Sequence, residues 1–175
     1  MRNQKGVTLI ALVVTIVVLL ILAATSIAML TGDDGIITNA QKAQAANTEG
    51  EVIDKMGLAY SSLRTEAMVQ MSTTPGYQPS ADANIQALAE MAAKELGLQA
   101  SDVTSTPIVE PVTDGKYHVA YDKGAGTITM LYGDNKFALT AGSEAADNKY
   151  ANIKGVITLT TTSVTYSAQP TRTVK

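Results

Sequence analysis

A chain of 175 residues has room for one modest domain plus one long element, and no more. It contains no cysteine, which excludes a disulfide framework and a thiolate metal site. The formal net charge of -3 argues against a surface built to hold nucleic acid, and no nucleic-acid partner is expected.

The charges are unevenly placed. Val7 to Gly32 carries no Asp, Glu, Lys or Arg, and only Arg2 and Lys5 precede it. Val7 to Leu30 is apolar except for Thr8, Thr15, Thr25 and Ser26. As a helix rising 1.5 Å per residue, its 24 residues reach ~36 Å, enough for a hydrocarbon core of about 30 Å. The hydroxyls are tolerable there because Thr and Ser can bond a carbonyl one turn back. The basic flank, residues 1–5, should stay cytoplasmic and send the remainder outward.

Three fates compete for this segment. A secretory signal peptide would be cut at the small-x-small site Ser26-Ile27-Ala28. A signal anchor would stay whole. The third possibility lies at Lys5-Gly6-Val7, where a Gly stands at the water–lipid boundary directly before the apolar run. A protease on the cytoplasmic side needs an extended, unhindered bond there, and Gly permits one. Cutting after Gly6 keeps the whole apolar helix and removes two positive charges, taking the formal charge from -3 to -5.

The run from Lys5 to Leu30, KGVTLIALVVTIVVLLILAATSIAML, resembles the N-terminus of type IV pilins and type II secretion pseudopilins. It is most similar to the Gram-positive branch, in which Thr-Leu-Ile-Ala-Leu-Val is followed by Thr-Gly-acidic-Gly and an Ala/Gln/Lys-rich helix. Here those later residues are Thr31-Gly32-Asp33-Asp34-Gly35 and onward to Ala43. The resemblance implies that a prepilin peptidase cuts between Gly6 and Val7 and N-methylates the new Val7 terminus. Lys5, Thr8, Leu9 and Ile10 match the family signal, while Val7 stands where Phe is common. Ala11 replaces the usual Glu, which in the family pairs with a neighbour's terminal amine. The partners implied are copies of the chain itself, the peptidase, an assembly ATPase and a membrane platform. The expected location is a single-pass membrane protein that then enters an extracellular filament. The other reading is a non-polymerising surface protein tethered by the helix and displaying a binding head, or a minor pilin or pseudopilin of a secretion or DNA-uptake system.

Past the apolar run, Gly32-Asp33-Asp34-Gly35 favours a helix kink or interruption. A calcium loop needs six or more oxygen ligands in a set pattern, so a solvated turn is the better reading. Residues 38–71 have helical periodicity, with Ile53, Met56, Tyr60, Leu63 and Ala67 forming an apolar stripe. Gly50 and Gly57 weaken this helix by roughly 1 kcal/mol each relative to Ala. Close approach of something packed on that face is the expected compensation.

Ser72 to Ser80 reads as a loop, and Asp82 is expected to cap a helix running to Leu96 with Gly97 as its stop. Its apolar face would carry Ile85, Leu88, Met91, Ala92 and Leu96. Thr104 to Val112, with Pro107 and Pro111, reads as a connector. Five strands are expected at 117–121, 127–132, 136–140, 156–160 and 164–167, with a tight turn at Gly133-Asp134-Asn135. Gly142 to Asn152 reads as a surface loop. The predicted organisation is leader 1–6, filament-core helix 7–31, kink and amphipathic helix 32–71, and head 72–175. The fold class is α+β, a long helix on a small antiparallel meander.

No enzymatic chemistry is expected. His118 falls in a strand beside no Asp/His cluster and without a nucleophile, and no zinc spacing, Walker loop or dinucleotide fingerprint occurs. No cofactor or metal is implied. The hydroxyl-rich stretch Thr158 to Thr173 reads as exposed strand and tail in preference to an O-glycosylated segment.

Overall fold

The computed structural model describes residues 4–31, 35–110, 112–134 and 150–173. The chain divides into two compact units, Met1–Gln44 and Ala45–Lys175.

The first unit is helical. Helix α1 runs Gln4–Thr31 without interruption, as expected of a segment holding neither Pro nor Gly after Gly6. Helix α2 begins at Ile36, where the carbonyl of Gly35 accepts the Asn39 N–H at 2.9 Å. Of the expected kink, Gly32, Asp33 and Asp34 lie outside the described residues, and Gly35 is the non-helical residue before α2.

The second unit is an α+β head. From Ala45 onward, helix α2 (Ile36–Thr73) lies with helix α3 (Asp82–Glu95) over one face of a five-stranded sheet with spatial order β1-β2-β3-β4-β5. The strands are β1 (Val103–Thr104), β2 (Asp114–Asp122), β3 (Thr127–Asp134), β4 (Tyr150–Leu159) and β5 (Val164–Thr173). Three successive antiparallel pairings make the meander, while β1 pairs parallel to β2, so the sheet is mixed.

The core is one cluster between helices and sheet. From α2 it takes Val52, Met56, Ala59, Leu63 and Ala67; from α3 Ile85, Leu88, Ala89, Ala92 and Ala93; from the sheet Val119, Ile128, Met130 and Ile157. The buried centre of α2 is thus turned toward Val52 and Ala59, and the larger Ile53 and Tyr60 pack at its edge. Tyr60 stacks on Tyr166 with ring centroids 4.9 Å apart and donates its hydroxyl to the Val164 carbonyl at 3.3 Å. Those contacts tie α2 to β5.

Several local expectations are corrected. Ala81, not Asp82, occupies the N-cap of α3 and makes no side-chain cap bond; the Asn84 amide instead donates to the Gln78 carbonyl at 2.8 Å. Gly97 does stop the helix, at φ 82°. Met91 is only partly buried, with Ala89 and Ala93 taking core positions beside it. Gly133 and Asp134 are strand residues, Gly133 pairing with both Lys116 and Asn152. Asn135 and the strand expected at 136–140 lie outside the described residues. Of the loop expected at 142–152, residues 142–149 lie outside the described residues, while Tyr150, Ala151 and Asn152 belong to β4.

The connector residues Ser105 to Glu110, with Val112 and Thr113, lie against the far face of the sheet as a strap. Lys154 Nζ lies 2.7 Å from Glu110 Oε1, and the Val112 N–H donates to Asn152 Oδ1 at 3.2 Å. Leu131 on that far face is fully buried. A Cβ at Gly133 would overlap the Val112 carbonyl oxygen and Asn152 Oδ1, which explains the glycine. Among the described residues nothing lies within 4 Å of a Cβ built at Gly50 or Gly57, so none of them makes the close approach expected there.

Candidate processing and assembly segment

Lys5, Gly6, Val7 and Thr8 all fall in the first two turns of α1. The bond between Gly6 and Val7 is therefore helical, not extended as a protease site requires. The first four N–H groups of a helix lack intrahelical acceptors, so opening this turn breaks few hydrogen bonds. Leu9, Ile10 and Ala11 follow on the same helix and are exposed.

From Leu9 to Leu30, 22 residues have mean hydropathy 3.0, with none buried. At 1.5 Å per residue that stretch spans ~33 Å, matching a hydrocarbon core of about 30 Å. The described hydroxyls within it are closed on the helix itself. Thr15 Oγ1 donates to the Leu12 carbonyl at 2.8 Å, Thr25 Oγ1 to Leu22 at 3.0 Å and Ser26 Oγ to Leu22 at 2.7 Å. An unsatisfied hydroxyl in an apolar medium costs roughly 1–3 kcal/mol, so these bonds make the surface effectively apolar throughout. This is a rod with no polar claim on its surroundings.

Residues 1–27 match the model of the prokaryotic N-terminal methylation motif. This is the type IV pilin and pseudopilin signal. No curated protein and no solved structure matches the chain. The motif opens α1, whose Leu9–Leu30 stretch is long and apolar enough to cross a membrane, and α1 precedes an α+β head. Processing by prepilin peptidase is implied by the same motif.

Elsewhere the structure places an acidic partner beside His118, contrary to the reading from sequence. A β-bulge between Asp114 and Lys116, with Gly115 at φ 71°, turns Asp114 back so that its Oδ2 lies 3.1 Å from His118 Nε2. Partial burial opposes ionisation of Asp114, but its hydrogen bonds with His118 and the Lys116 N–H outweigh this and hold the carboxyl below its ordinary value. Among the described residues no cluster of three His, Asp or Glu could hold a metal ion.

Sequence reasoning missed a groove between α2 and α3 of about 1100 Å³. Its apolar lining comes from Leu58, Met91 and Leu98, and its rim carries Glu66, Glu90 and Glu95. No periodicity within one helix can reveal a groove made by two. The one available signal was Leu58, an apolar residue off the buried stripe and 66% exposed.

Proposed function

We propose that the mature chain begins at Val7 and polymerises through α1 into an extracellular type IV pilus-like filament. The observation that carries this reading is a methylation motif heading a helix whose uncharged Leu9–Leu30 stretch is wholly exposed. Burying such side chains gains about 25 cal/mol per Å² relative to water. Lipid already hides them, so withdrawal from the membrane takes external work, which an assembly ATPase and platform would supply. Gly6 and Val7 are the processing residues, and Lys5 to Ala11 the recognition and assembly signal.

The Val7 ammonium needs an acceptor in the filament core, since an unpaired buried charge costs several kcal/mol. With Ala at position 11, carbonyls or hydroxyls must serve. We assign the chain a structural role and no enzymatic one. The His118–Asp114 pair is partly exposed on the far face of the sheet, and no hydroxyl is bonded to the imidazole among the described residues.

Mass analysis of protein sheared from the cell surface tests this reading. A methylated N-terminus at Val7 in filaments is expected. A monomer with Met1 intact, or a start near Met29, would refute it.

A further inference from the structure

The groove between α2 and α3 carries more negative charge than the chain neutralises. Glu66, Glu90 and Glu95 receive hydrogen bonds from Gln70, Gln86 and Ser62 respectively, all neutral donors. Lys94 is the cation lining the same groove, leaving three carboxylates against one ammonium, and none of the four is in an ion pair among the described residues. Below this rim lies apolar surface from Leu58, Met91 and Leu98.

The opposite flank of α2 has the complementary character. At about 100° per residue, Ser62 and Arg64 lie on either side of the buried Leu63. Ser62 lines the groove, so Arg64 projects from the other flank, exposed and without an ion-pair partner among the described residues. Gly57 is seven residues earlier, on the flank of Arg64, and a Cβ there would meet nothing within 4 Å. Met68, one turn after Arg64, is 50% exposed.

We propose that the flank of α2 bearing Gly57, Arg64 and Met68 seats in the carboxylate-rimmed groove of a second copy of the chain. The occupant is fixed by charge complementarity and by the absent Cβ of Gly57, which lets the neighbour's α3 come close. Because the two surfaces differ, the contact is heterologous; one copy's groove is filled while its own flank stays free for the next. Repetition without closure gives a helical polymer. This contact rests on the filament reading and adds to it a lateral interaction between heads, separate from the bundling of α1.

The absence of cysteine allows a direct test on assembled filaments of the full chain. Arg64→Cys with Glu95→Cys, treated with a short bis-maleimide, should give a ladder of dimers, trimers and higher species. Each single variant should stay monomeric under the same treatment. Filaments of normal yield that give no ladder, or dimers from Arg64→Cys alone, overturn the contact. Arg64→Glu should lower sheared-filament yield about tenfold, and adding Glu66→Arg and Glu95→Arg should restore it to within about threefold. Full assembly by Arg64→Glu alone also overturns it, and unchanged melting of detergent-solubilised monomers checks that the variants fold. If the unmodified chain makes no filaments, the filament reading falls and takes this contact with it. Normal filaments without the ladder remove the contact only.

Discussion

Leu58 and Leu63 stand on the same helix and differ only in where they point, so their truncations separate packing from propensity. Leu63 is fully buried, in the cluster that includes Met56, Ile85 and Met130. Leu63→Ala removes three carbons, worth about 2.4 kcal/mol in transfer at ~0.8 kcal/mol each, and leaves a cavity that adds to the loss. A total of about 3 kcal/mol is expected, which for a head spanning Ala45–Lys175 lowers Tm by about 10–15 °C. Leu58 is 66% exposed, and Leu58→Ala should stay within about 0.5 kcal/mol of the parent. The assay is thermal or urea unfolding of the detergent-solubilised full chain, followed by near-ultraviolet circular dichroism from the head tyrosines. Equal losses from the two variants would show that α2 does not meet the sheet in the register described, and the account of the core would fail with it.

Gly133→Ala should destabilise the head by about 2–3 kcal/mol in the same assay, because its Cβ overlaps the Val112 carbonyl and Asn152. Gly57→Ala, with open space around it, should instead stabilise the monomer by about 0.5–1 kcal/mol. Tyr117 is pushed from 10.0 up to about 12, first by burial and then by Tyr132 and Glu51. A phenol whose folded pKa is raised stabilises fully below pH ~10 and loses that contribution as pH climbs through ~12, so urea midpoints should fall across this window. The ceiling is about 2.7 kcal/mol, reduced to roughly half by solvent around the partly exposed ring, and Tyr117→Phe should show a shallower fall. Gly6→Leu should leave the chain uncut in the membrane, read as retention of Met1 by mass spectrometry of the membrane fraction.

The N-terminal rod was legible because an uncharged run of 24 residues has few structural outcomes. Helix α3 and the hairpin joining β2 to β3 were legible from turn chemistry, with Gly97 and Gly126 both at positive φ. The stripe on α2 was legible to within a fraction of a turn. Tyr60 and Ile53 drew the reading toward themselves by size, whereas close packing on the sheet favours the small Ala59 and Val52 at the centre. The strap was not legible, since what holds it is non-local. Asn152 reads as a loop residue, yet it is buried in β4 and bonded to Val112, forty positions away. Gly133-Asp134-Asn135 has turn composition, but Gly133 is required by an approaching backbone that no local pattern announces. The two-residue β1, parallel to β2, is too short to leave a period. In the processing segment, residue types indicated where the cut should fall, while the helical state of Gly6–Val7 appeared only in the fold.

The internal closure of Thr15, Thr25 and Ser26 has a thermodynamic corollary. In the proposed filament, the Leu9–Leu30 stretch, which satisfies its own hydroxyls, would exchange no hydrogen bonds on passing from acyl chains to other rods. The two environments then differ for it only in how well atoms fit together, a modest quantity of either sign. In the filament proposed above, growth and disassembly would then both be accessible to one motor, with the Val7 amine the group that changes its polar partners.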